Sequence, residues 1–488
     1  MIRRFRMSAF ALAVLVGCNS KPELDADLLI QHVTVIDGTG AASRADQFVA
    51  IKGDRIVAIG PAAEMPTSKS AKIVDGLGKY LIPGLWDMHV HLDGYKEHSF
   101  PLFVANGVTG VRDLGGNLAA SLKLRELARS GSSPAPDVLI AGPVLDGDYV
   151  VRAVAGTAYA AGREAVPDSA TGVAMVDSLA RAGVDHIKVH SLTPRAAYFA
   201  ILAEARRKGI PVVGHLPDSI SNQEAILGGQ RTIEHGSKLE YGETARGEEL
   251  TRRWLAATQK VIDKTRDHPD VGPIFAIRLA MSDTALAAYD SATAATFGAF
   301  AAKHDVWFDP TIVVEETMWR ANDSTYRHPD ELKYAPKSAQ SDEIPVTGTA
   351  TPAELEAGHV RFTREVNSLL PLLRAGAKFV TGTDLPVPPL PPGFSLLREL
   401  ELLVHGGFTP MQAIQAATHN SAEAAGKLAE LGTVETGKRA SLVLLDANPL
   451  AAIGNVRRIN AVIVKGKLLD RATLDRMLVD AEAYAKKN

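Results

Sequence analysis

The sequence contains almost no cysteine. Cys18 is the single cysteine among 488 residues, which excludes an intrachain disulfide and a cluster of thiolate metal ligands. A metal ion bound by this chain would therefore need carboxylate or imidazole ligands, and the chain has 14 histidines to provide them.

The sequence also lacks an excess of charge of one sign and has few aromatic residues. Its 53 basic and 56 acidic residues give a formal net charge of −3, and aromatic residues make up 6%. Nucleic acid is not expected as a partner, because no basic excess is present to neutralise phosphates. Hydrophobic residues at 46% and charged residues at 22% are typical of a globular protein with a sizeable core, which excludes a disordered or fibrous chain.

No hydrophobic run near the N-terminus is long enough to span a bilayer. The apolar run from Met7 to Val16 covers about half of the roughly 20 residues that a transmembrane helix needs. Basic residues precede this run and Cys18 follows it, which is typical of an export signal. Residues 15–18 resemble a bacterial lipoprotein signal, which implies lipidation of Cys18 and a periplasm-facing protein, on the outer membrane rather than the inner. An ordinary N-terminal anchor with an incidental cysteine is the alternative.

Short strand patterns occur at both ends of the chain and frame a longer central region. We predict a signal segment, a first β-rich segment, a central domain, a second β-rich segment and a C-terminal helix, at residues 1–20, 24–82, 83–430, 431–475 and 476–488. The strand patterns alone leave open whether the two β-rich segments share one sheet.

The central region alternates short apolar runs with helical patterns. Eight runs are strand candidates: Leu85–His89, Val108–Asp113, Val138–Ala141, His186–His190, Val212–His215, Thr232–His235, Val306–Pro310 and Phe379–Thr383. This alternation predicts the α/β class and a (β/α)8 barrel, known as a TIM barrel. The longest interval between two strand candidates, from Ser237 to Lys303, is expected to contain extra helices.

Residues of the types that bind metals terminate or interrupt several of these runs. His89 and His91 are two positions apart, so on a strand they share one face and suit a zinc ion. The other such residues are Lys188, His215, His235 and Asp384. An isolated pair of histidines would be a weak indication. Residues that are able to bind metals occur at five strand ends, and this predicts a metal site at the carboxyl-terminal rim, where barrel enzymes build their active sites.

Several longer segments resemble the amidohydrolase superfamily, in its imidazolonepropionase-like and Xaa-Pro-dipeptidase-like branch. These segments are residues 81–91, 107–116, 392–396, 416–420 and 432–440. The resemblance implies a barrel accompanied by a small β-sandwich domain, to which both chain ends contribute.

The resemblance also implies roles for individual residues. His89 and His91 would bind the more buried metal ion, and His215 and His235 the second. Lys188 would bridge the two ions as a carbamate formed with carbon dioxide. Asp384 would contact the first ion and act as the base.

Physical arguments agree with a modified lysine. An ammonium group at Lys188 would be repelled by two cations, whereas crowding and burial favour the neutral amine that captures carbon dioxide. His190 shares a strand face with Lys188 and is the alternative candidate at this position.

The implied activity is that of a binuclear metal-dependent amidohydrolase. Two divalent ions, zinc first among them, would generate a bridging hydroxide that attacks an amide or peptide bond of a dipeptide or N-acyl amino acid. Asp384 would take the proton and pass it to the leaving nitrogen. Manganese, cobalt or iron are alternative metals. The alternative functions are hydrolysis of a cyclic amide, lactone or ester, and a non-catalytic binding lipoprotein.

Substrate contacts follow less directly from the sequence. Relatives commonly have a Gly-Gly-His segment after the third strand, which residues 141–149 lack, and a tyrosine after the strand-four lysine. His190 and Tyr149 lie in the corresponding loops and are the weak candidates for contact with a small-molecule substrate. Arg112 and Asp113 are expected to stabilise the barrel. The sequence does not decide whether the protein forms a homo-oligomer.

Overall fold

The computed structural model describes most of the chain. The described residues are 23–157, 160, 162–236, 238–320, 323, 326, 330–336, 351–387 and 390–487. The predicted signal segment and Cys18 lie outside these residues. Among the described residues, no helix combines the length and apolar character needed to cross a membrane.

Strands from both ends of the chain form one sheet. Its strands are β1 (Leu28–Val35), β2 (Arg44–Lys52), β3 (Arg55–Pro61), β4 (Lys72–Asp75), β5 (Tyr80–Pro83), β16 (Leu442–Leu445), β17 (Ile459–Val464) and β18 (Lys467–Asp470). The order is β18-β17-β16-β5-β1-β2-β3, with β4 paired to β1. The antiparallel pairing of Leu442 with Pro83 and of Leu445 with Tyr80 joins the two ends. The division of this sheet into the two layers of a sandwich stays a prediction, as do the domain boundaries.

Parallel strands form the central domain. They are β6 (Leu85–Val90), β7 (Val108–Asp113), β8 (Asp137–Ile140), β9 (Val144–Asp146), β10 (Arg163–Ala165), β11 (Ile187–Val189), β12 (Val212–Gly214), β13 (Thr232–Glu234), β14 (Trp307–Asp309) and β15 (Lys378–Phe379). They pair as β6-β7-β8 and as β10-β9-β11-β12-β13-β14-β15.

Hydrogen bonds close these two sheets into a barrel. The amide of Met88 donates to the carbonyl of Thr381 at 2.8 Å, and the amide of Asp185 donates to the carbonyl of Ile140 at 2.8 Å. Each of the eight predicted strands overlaps a strand of this barrel. β6 and β7 are buried along their whole length, as expected of parallel strands covered by helices on the outside.

Helices cover the barrel and extend its rim. They are α1 (Ser99–Ala105), α2 (Leu118–Ser130), α3 (Asp148–Ala153), α4 (Ser169–Ala182), α5 (Arg195–Lys208), α6 (Asn222–Gly228), α7 (Leu239–Gly242), α8 (Gly247–Lys264), α9 (Gly272–Ala287), α10 (Ser291–Ala302), α11 (Ile312–Trp319), α12 (Pro352–Arg374), α13 (Phe394–His405), α14 (Pro410–Gln415), α15 (Ser421–Ala424) and α16 (Arg471–Ala485). Helices α7 to α10 fill the gap between β13 and β14, as predicted. The last helix begins at Arg471, earlier than expected, because the Asp470 side chain caps it by accepting the amide of Thr473 at 3.0 Å.

Candidate metal centre

The candidate metal centre has two halves, and the first of them lies at the end of β6. The Nε2 atoms of His89 and His91 lie 3.2 Å and 3.1 Å from Oδ1 of Asp384. One ligand atom from each of these three residues lies within 4.8 Å of the others, which is close enough for all three to hold one ion. The predicted pairing of the two histidines on one face of the strand end therefore matches the observed geometry.

The other half is formed by the ends of β12 and β13. The ring centroids of His215 and His235 lie 4.6 Å apart, and the His235 ring lies 4.5 Å from the His89 ring. The second carboxylate oxygen of Asp384 lies 3.9 Å from Nε2 of His235. Asp384 thus contacts ligand candidates of both halves.

Lys188 reaches the same place from β11. Its side chain is buried, and Nζ lies 3.2 Å from Nε2 of His89. Burial lowers the pKa of Lys188 to about 8, which increases the share of neutral amine at physiological pH. Gly214 makes this approach possible, because a Cβ atom there would lie 2.2 Å from the Val189 carbonyl and 3.0 Å from the Lys188 side chain.

Nδ1 of each of the four histidines has a polar neighbour, and for His91, His215 and His235 this neighbour is a hydrogen-bond partner. The Nδ1 atoms of His89, His91, His215 and His235 contact Glu234 Oε2 at 3.2 Å, the Gly115 carbonyl at 3.0 Å, Ser191 Oγ at 3.0 Å and Thr311 Oγ1 at 2.9 Å. Such contacts orient the imidazoles of metal sites and leave Nε2 for the metal. The donor set therefore fits divalent metal ions.

The charge states of three of these four histidines agree with that role. Burial lowers the pKa of His89, His215 and His235 below the ordinary value. Neutral imidazole is the form that binds metals. Burial would lower the pKa of His91 as well, but the hydrogen bond and charge of Asp384 raise it above the ordinary value. Burial alone would raise the pKa of Asp384, but His235, His89 and His91 hold it below its usual range, so the carboxylate is ionised at neutral pH.

Two of the candidate ligands have left-handed backbone conformations. His235 has a φ of 60° and Asp384 has a φ of 54°. The amide of Asp384 donates to the His89 carbonyl at 2.7 Å, and the amide of His235 donates to the Asp309 carbonyl at 2.8 Å. Non-glycine residues at positive φ persist only where the surroundings hold them, and they concentrate at functional sites.

A buried ionic network supports the first half of the centre. Arg112 Nη2 lies 3.0 Å from Glu234 Oε1, whose other oxygen contacts His89, and 3.7 Å from Asp309 Oδ2. Arg112 also donates from Nε to the Met88 carbonyl at 2.6 Å. Burial and the charge of Glu234 raise the pKa of Asp309 well above its usual range. His89, Glu234 and Asp309 form a second group with metal-ligand spacing, but the guanidinium already supplies the positive charge there.

The two weak substrate candidates occupy different surroundings. The His190 ring lies 4.0 Å from the His215 ring, and its Nδ1 lies 2.8 Å from Asp146 Oδ2. Burial lowers the pKa of His190 to about 4. The Tyr149 hydroxyl donates to the Asp270 carbonyl at 2.9 Å and lies 2.6 Å from the Thr265 hydroxyl. Contact of either residue with a substrate stays a prediction.

A cavity of about 470 Å³ adjoins the centre. Its lining includes His235, Asp384 and Ser191 at the centre, and residues of α7, α8, α9, α11 and α12 contribute to the rest of the wall together with loop residues. Pockets for small ligands fall within about 300–1,000 Å³. The cavity therefore suits a small molecule.

Sequence reasoning missed the groups behind the ligands. Glu234 adjoins His235 in a buried strand, and a charged residue in such a run was an available signal for a buried partner. Asp309 offered the same signal at the end of β14. The cavity-lining residues of α9 and α12 carried no such signal in the sequence, because the position of their side chains depends on how these helices pack.

Comparison with known proteins gives matches over most of the chain. Residues 80–469 match the amidohydrolase family. An imidazolonepropionase from Caulobacter vibrioides is 35% identical over 104 residues, which are 21% of this chain and 25% of that protein. The chain thus matches a quarter of the length of this curated relative.

Two solved structures share the fold. A Xaa-Pro dipeptidase with bound methionine in its active site aligns with a TM-score of 0.63 and 19% identity, covering 91% of this chain and 99% of that one. Bottromycin amidohydrolase aligns with a TM-score of 0.70 and 22% identity, and the alignment covers 94% of this chain and 90% of that one. At these identities the likeness establishes the fold.

Proposed function

The chain belongs to the amidohydrolase family, a family of metal-dependent hydrolases, and from that premise we propose that it hydrolyses an amide or peptide bond in a small substrate such as a dipeptide or an N-acyl amino acid. The observation that carries the proposal is the position of Asp384 between two histidine pairs at one end of a cavity. A non-catalytic binding protein would have no need of this complete donor set.

Two divalent metal ions, zinc in the first place, are proposed as cofactors. His89, His91 and Asp384 would hold one ion, His215 and His235 the other, and a carbamate on Lys188 would contact both. When bound, such ions lower the pKa of water and polarise a carbonyl group. The contacts of the four Nδ1 atoms support this assignment, because they leave the Nε2 atoms free to act as ligands.

Asp384 is proposed as the residue that moves the proton. The carboxylate is ionised at neutral pH, which is the form that would accept a proton from the attacking water. The same carboxyl group then delivers that proton to the leaving nitrogen as the amide C–N bond breaks. Its backbone hydrogen bond to His89 holds the carboxylate in place.

Metal analysis distinguishes Lys188 from its neighbour His190. We expect the Lys188→Ala protein to lose at least one of two bound ions per chain, because the substitution removes the group that is proposed to contact both metal ions. The His190→Ala protein is expected to keep both ions, because the His190 ring packs on His215 and pairs with Asp146. Elemental analysis of the purified proteins measures both. Full metal content in Lys188→Ala would contradict the proposed role of Lys188.

The proposed reaction is tested by amine release from a panel of dipeptides and N-acyl amino acids. The zinc-loaded protein is expected to release amine from at least one member. No release with two ions bound per chain would shift the proposal to cyclic amides, lactones or esters. No release and no bound metal would overturn it altogether.

Export is a separate proposal. The basic segment, the short apolar run and Cys18 favour a lipoprotein that faces the periplasm, anchored by lipid on that cysteine. Labelling cells with a radioactive fatty acid tests it, since Cys18→Ala would remove the label.

A further inference from the structure

One face of helix α9 lines the cavity beyond the metal centre. The residues of this helix that line the cavity are Phe275, Arg278, Leu279, Ser282 and Leu286. Their spacing of three or four positions places them on one side of the helix. Arg278 is therefore a charged residue on a helix face whose other members are three apolar side chains and a serine.

Apolar side chains provide much of the cavity wall around this helix face. Phe275 and Leu279 are 50% and 44% exposed, and Met318 of α11 is 40% exposed. Trp319 and Phe362 add aromatic surface to the same wall, with ring centroids 6.0 Å apart. Burial of apolar surface is favourable, so this wall suits the hydrocarbon part of a ligand.

Arg278 is connected to the metal centre by a short chain of contacts. Its Nη2 lies 3.4 Å from Oδ1 of Asp218. The Asp218 amide donates to the Ser191 carbonyl at 2.7 Å, and Ser191 Oγ lies 3.0 Å from Nδ1 of His215. A ligand group bound by Arg278 would therefore lie on the side of the cavity that leads to His215.

The guanidinium of Arg278 keeps hydrogen-bond donors free for a ligand. Nε is buried, but the side chain as a whole is 30% exposed. The contact of Nη2 with Asp218 is long for a hydrogen bond, and Nη1 has no acceptor among the residues that the structure describes. The guanidinium carbon lies 5.4 Å from the centroid of the Trp254 ring, which helps to hold the side chain in place.

Positive charge exceeds negative charge around Asp218. Lys238 is buried, and its Nζ donates to the Asp218 and Ile220 carbonyls at 3.0 Å and 2.7 Å. Burial lowers the pKa of Lys238 to about 8, so most of this amine is protonated at neutral pH. Burial raises the pKa of Asp218 to about 6, and both Arg278 and Lys238 act against this rise. Two cations therefore face one carboxylate here.

The other acidic side chains of the wall do not offset this charge. Burial raises the pKa of Glu240, Glu315 and Glu365 towards their neutral forms. Arg361 lies 2.8 Å from Glu365 and also pairs with Asp283, so its charge is balanced within that group. The part of the cavity next to Arg278 therefore suits an anionic group.

We propose that Arg278 binds the carboxylate of the substrate while the apolar wall receives its hydrocarbon part, so that the enzyme selects amides carrying both groups, such as N-acyl derivatives of apolar amino acids. A guanidinium suits this role because it donates two parallel hydrogen bonds to a carboxylate. The inference names the substrate class of the proposed hydrolase and rests on that function for the position of the amide bond.

The binding test compares hydrocinnamate with benzylacetone, in which a methyl group replaces one carboxylate oxygen. Both compounds carry the same phenylethyl group, and neither contains an amide bond. Isothermal titration of the metal-loaded protein is expected to give a Kd at least about tenfold lower for hydrocinnamate. This ratio is expected to fall at least about fivefold in Arg278→Met. Arg278→Lys is expected to give an intermediate ratio, because it keeps the charge without the planar pair of donors.

The variants are needed because carboxylates also bind metal ions. Arg252→Met changes an exposed arginine of α8 outside the cavity wall, and this matched control is expected to keep the wild-type ratio. An unchanged ratio in Arg278→Met would show that the carboxylate binds elsewhere and would overturn the inference. Equal affinity for the two compounds, or no binding of hydrocinnamate, would also overturn it. Thermal unfolding of each variant confirms that it is folded.

Hydrolysis separates this inference from the proposed function. Acetate release from N-acetyl-L-phenylalanine is expected to have a kcat/KM at least about tenfold higher than release from N-acetyl-L-phenylalaninamide. Arg278→Met is expected to raise KM for the carboxylate substrate and to change kcat less than about threefold, because the contact is made before and during the reaction. Equal hydrolysis of both compounds would overturn the inference and leave the hydrolase standing. Binding of hydrocinnamate that depends on Arg278, without hydrolysis of any amide, would do the reverse.

Discussion

The Asp384→Asn protein is expected to hydrolyse the preferred amide at least about 10³-fold more slowly than the wild type, because general acid–base catalysis contributes about 10²–10⁴-fold and the carboxylate also contacts both histidine pairs. Asparagine keeps the size of the side chain but is unable to carry the proton. The measurement is kcat/KM for amine release, normalised to the metal content of each preparation.

The control for this variant is an aspartate outside the centre. Asp148→Asn changes an exposed residue of α3 that pairs with Arg152 at 2.8 Å. It is expected to keep activity within about twofold of the wild type, since exposed pairs contribute little. An Asp384→Asn protein that retains both metal ions and more than about a tenth of the activity would rule out Asp384 as the proton carrier.

Removing Arg112 is expected to have the largest effect on stability. Its side chain is fully buried and contacts Glu234, Asp309, Thr232 and the Met88 carbonyl. Arg112→Met would leave two buried carboxyl groups without a cation, and breaking such a pair costs about 3–5 kcal/mol. We expect the free energy of unfolding, measured by denaturant titration of the metal-free protein, to fall by that amount.

Two further variants make this result interpretable. Arg129→Met, an exposed arginine of α2, is expected to change the free energy of unfolding by less than about 0.5 kcal/mol. Arg112→Lys keeps the charge but loses the planar guanidinium, so an intermediate loss is expected. A loss below about 1 kcal/mol in Arg112→Met would show that the network contributes little to stability.

Much of the barrel follows from local patterns in the sequence. Short apolar runs bounded by turn residues predict strands, and the eight runs predicted for the central region coincide with strands of the barrel. The spacing of His89 and His91 predicts a shared direction, because side chains alternate along a strand. Asp384 and His235 are recognisable as strand-end residues, although their left-handed backbone is visible only in the structure.

The contacts behind the ligands depend on residues far apart in the chain. Glu234 contacts His89 across 145 positions of sequence, and Arg112 joins the same network from β7. The sequence places these groups within short apolar runs but leaves their partners open, since the partners are set by the order of strands around the barrel. Gly382 illustrates the tightness of this closure, because a Cβ atom there would lie 2.5 Å from Asp309 and 2.6 Å from His89.

The sequence by itself determined the strands, the residue types at their ends and the family, because each depends on patterns within a few neighbouring positions. Only the tertiary structure decided which nitrogen of each histidine faces the centre and which helices line the cavity. The physical reason is that barrel closure and the packing of the inserted helices bring together groups from distant segments. Glu240, Glu315 and Glu365 become neighbours in this way, with no pattern in the chain that links them.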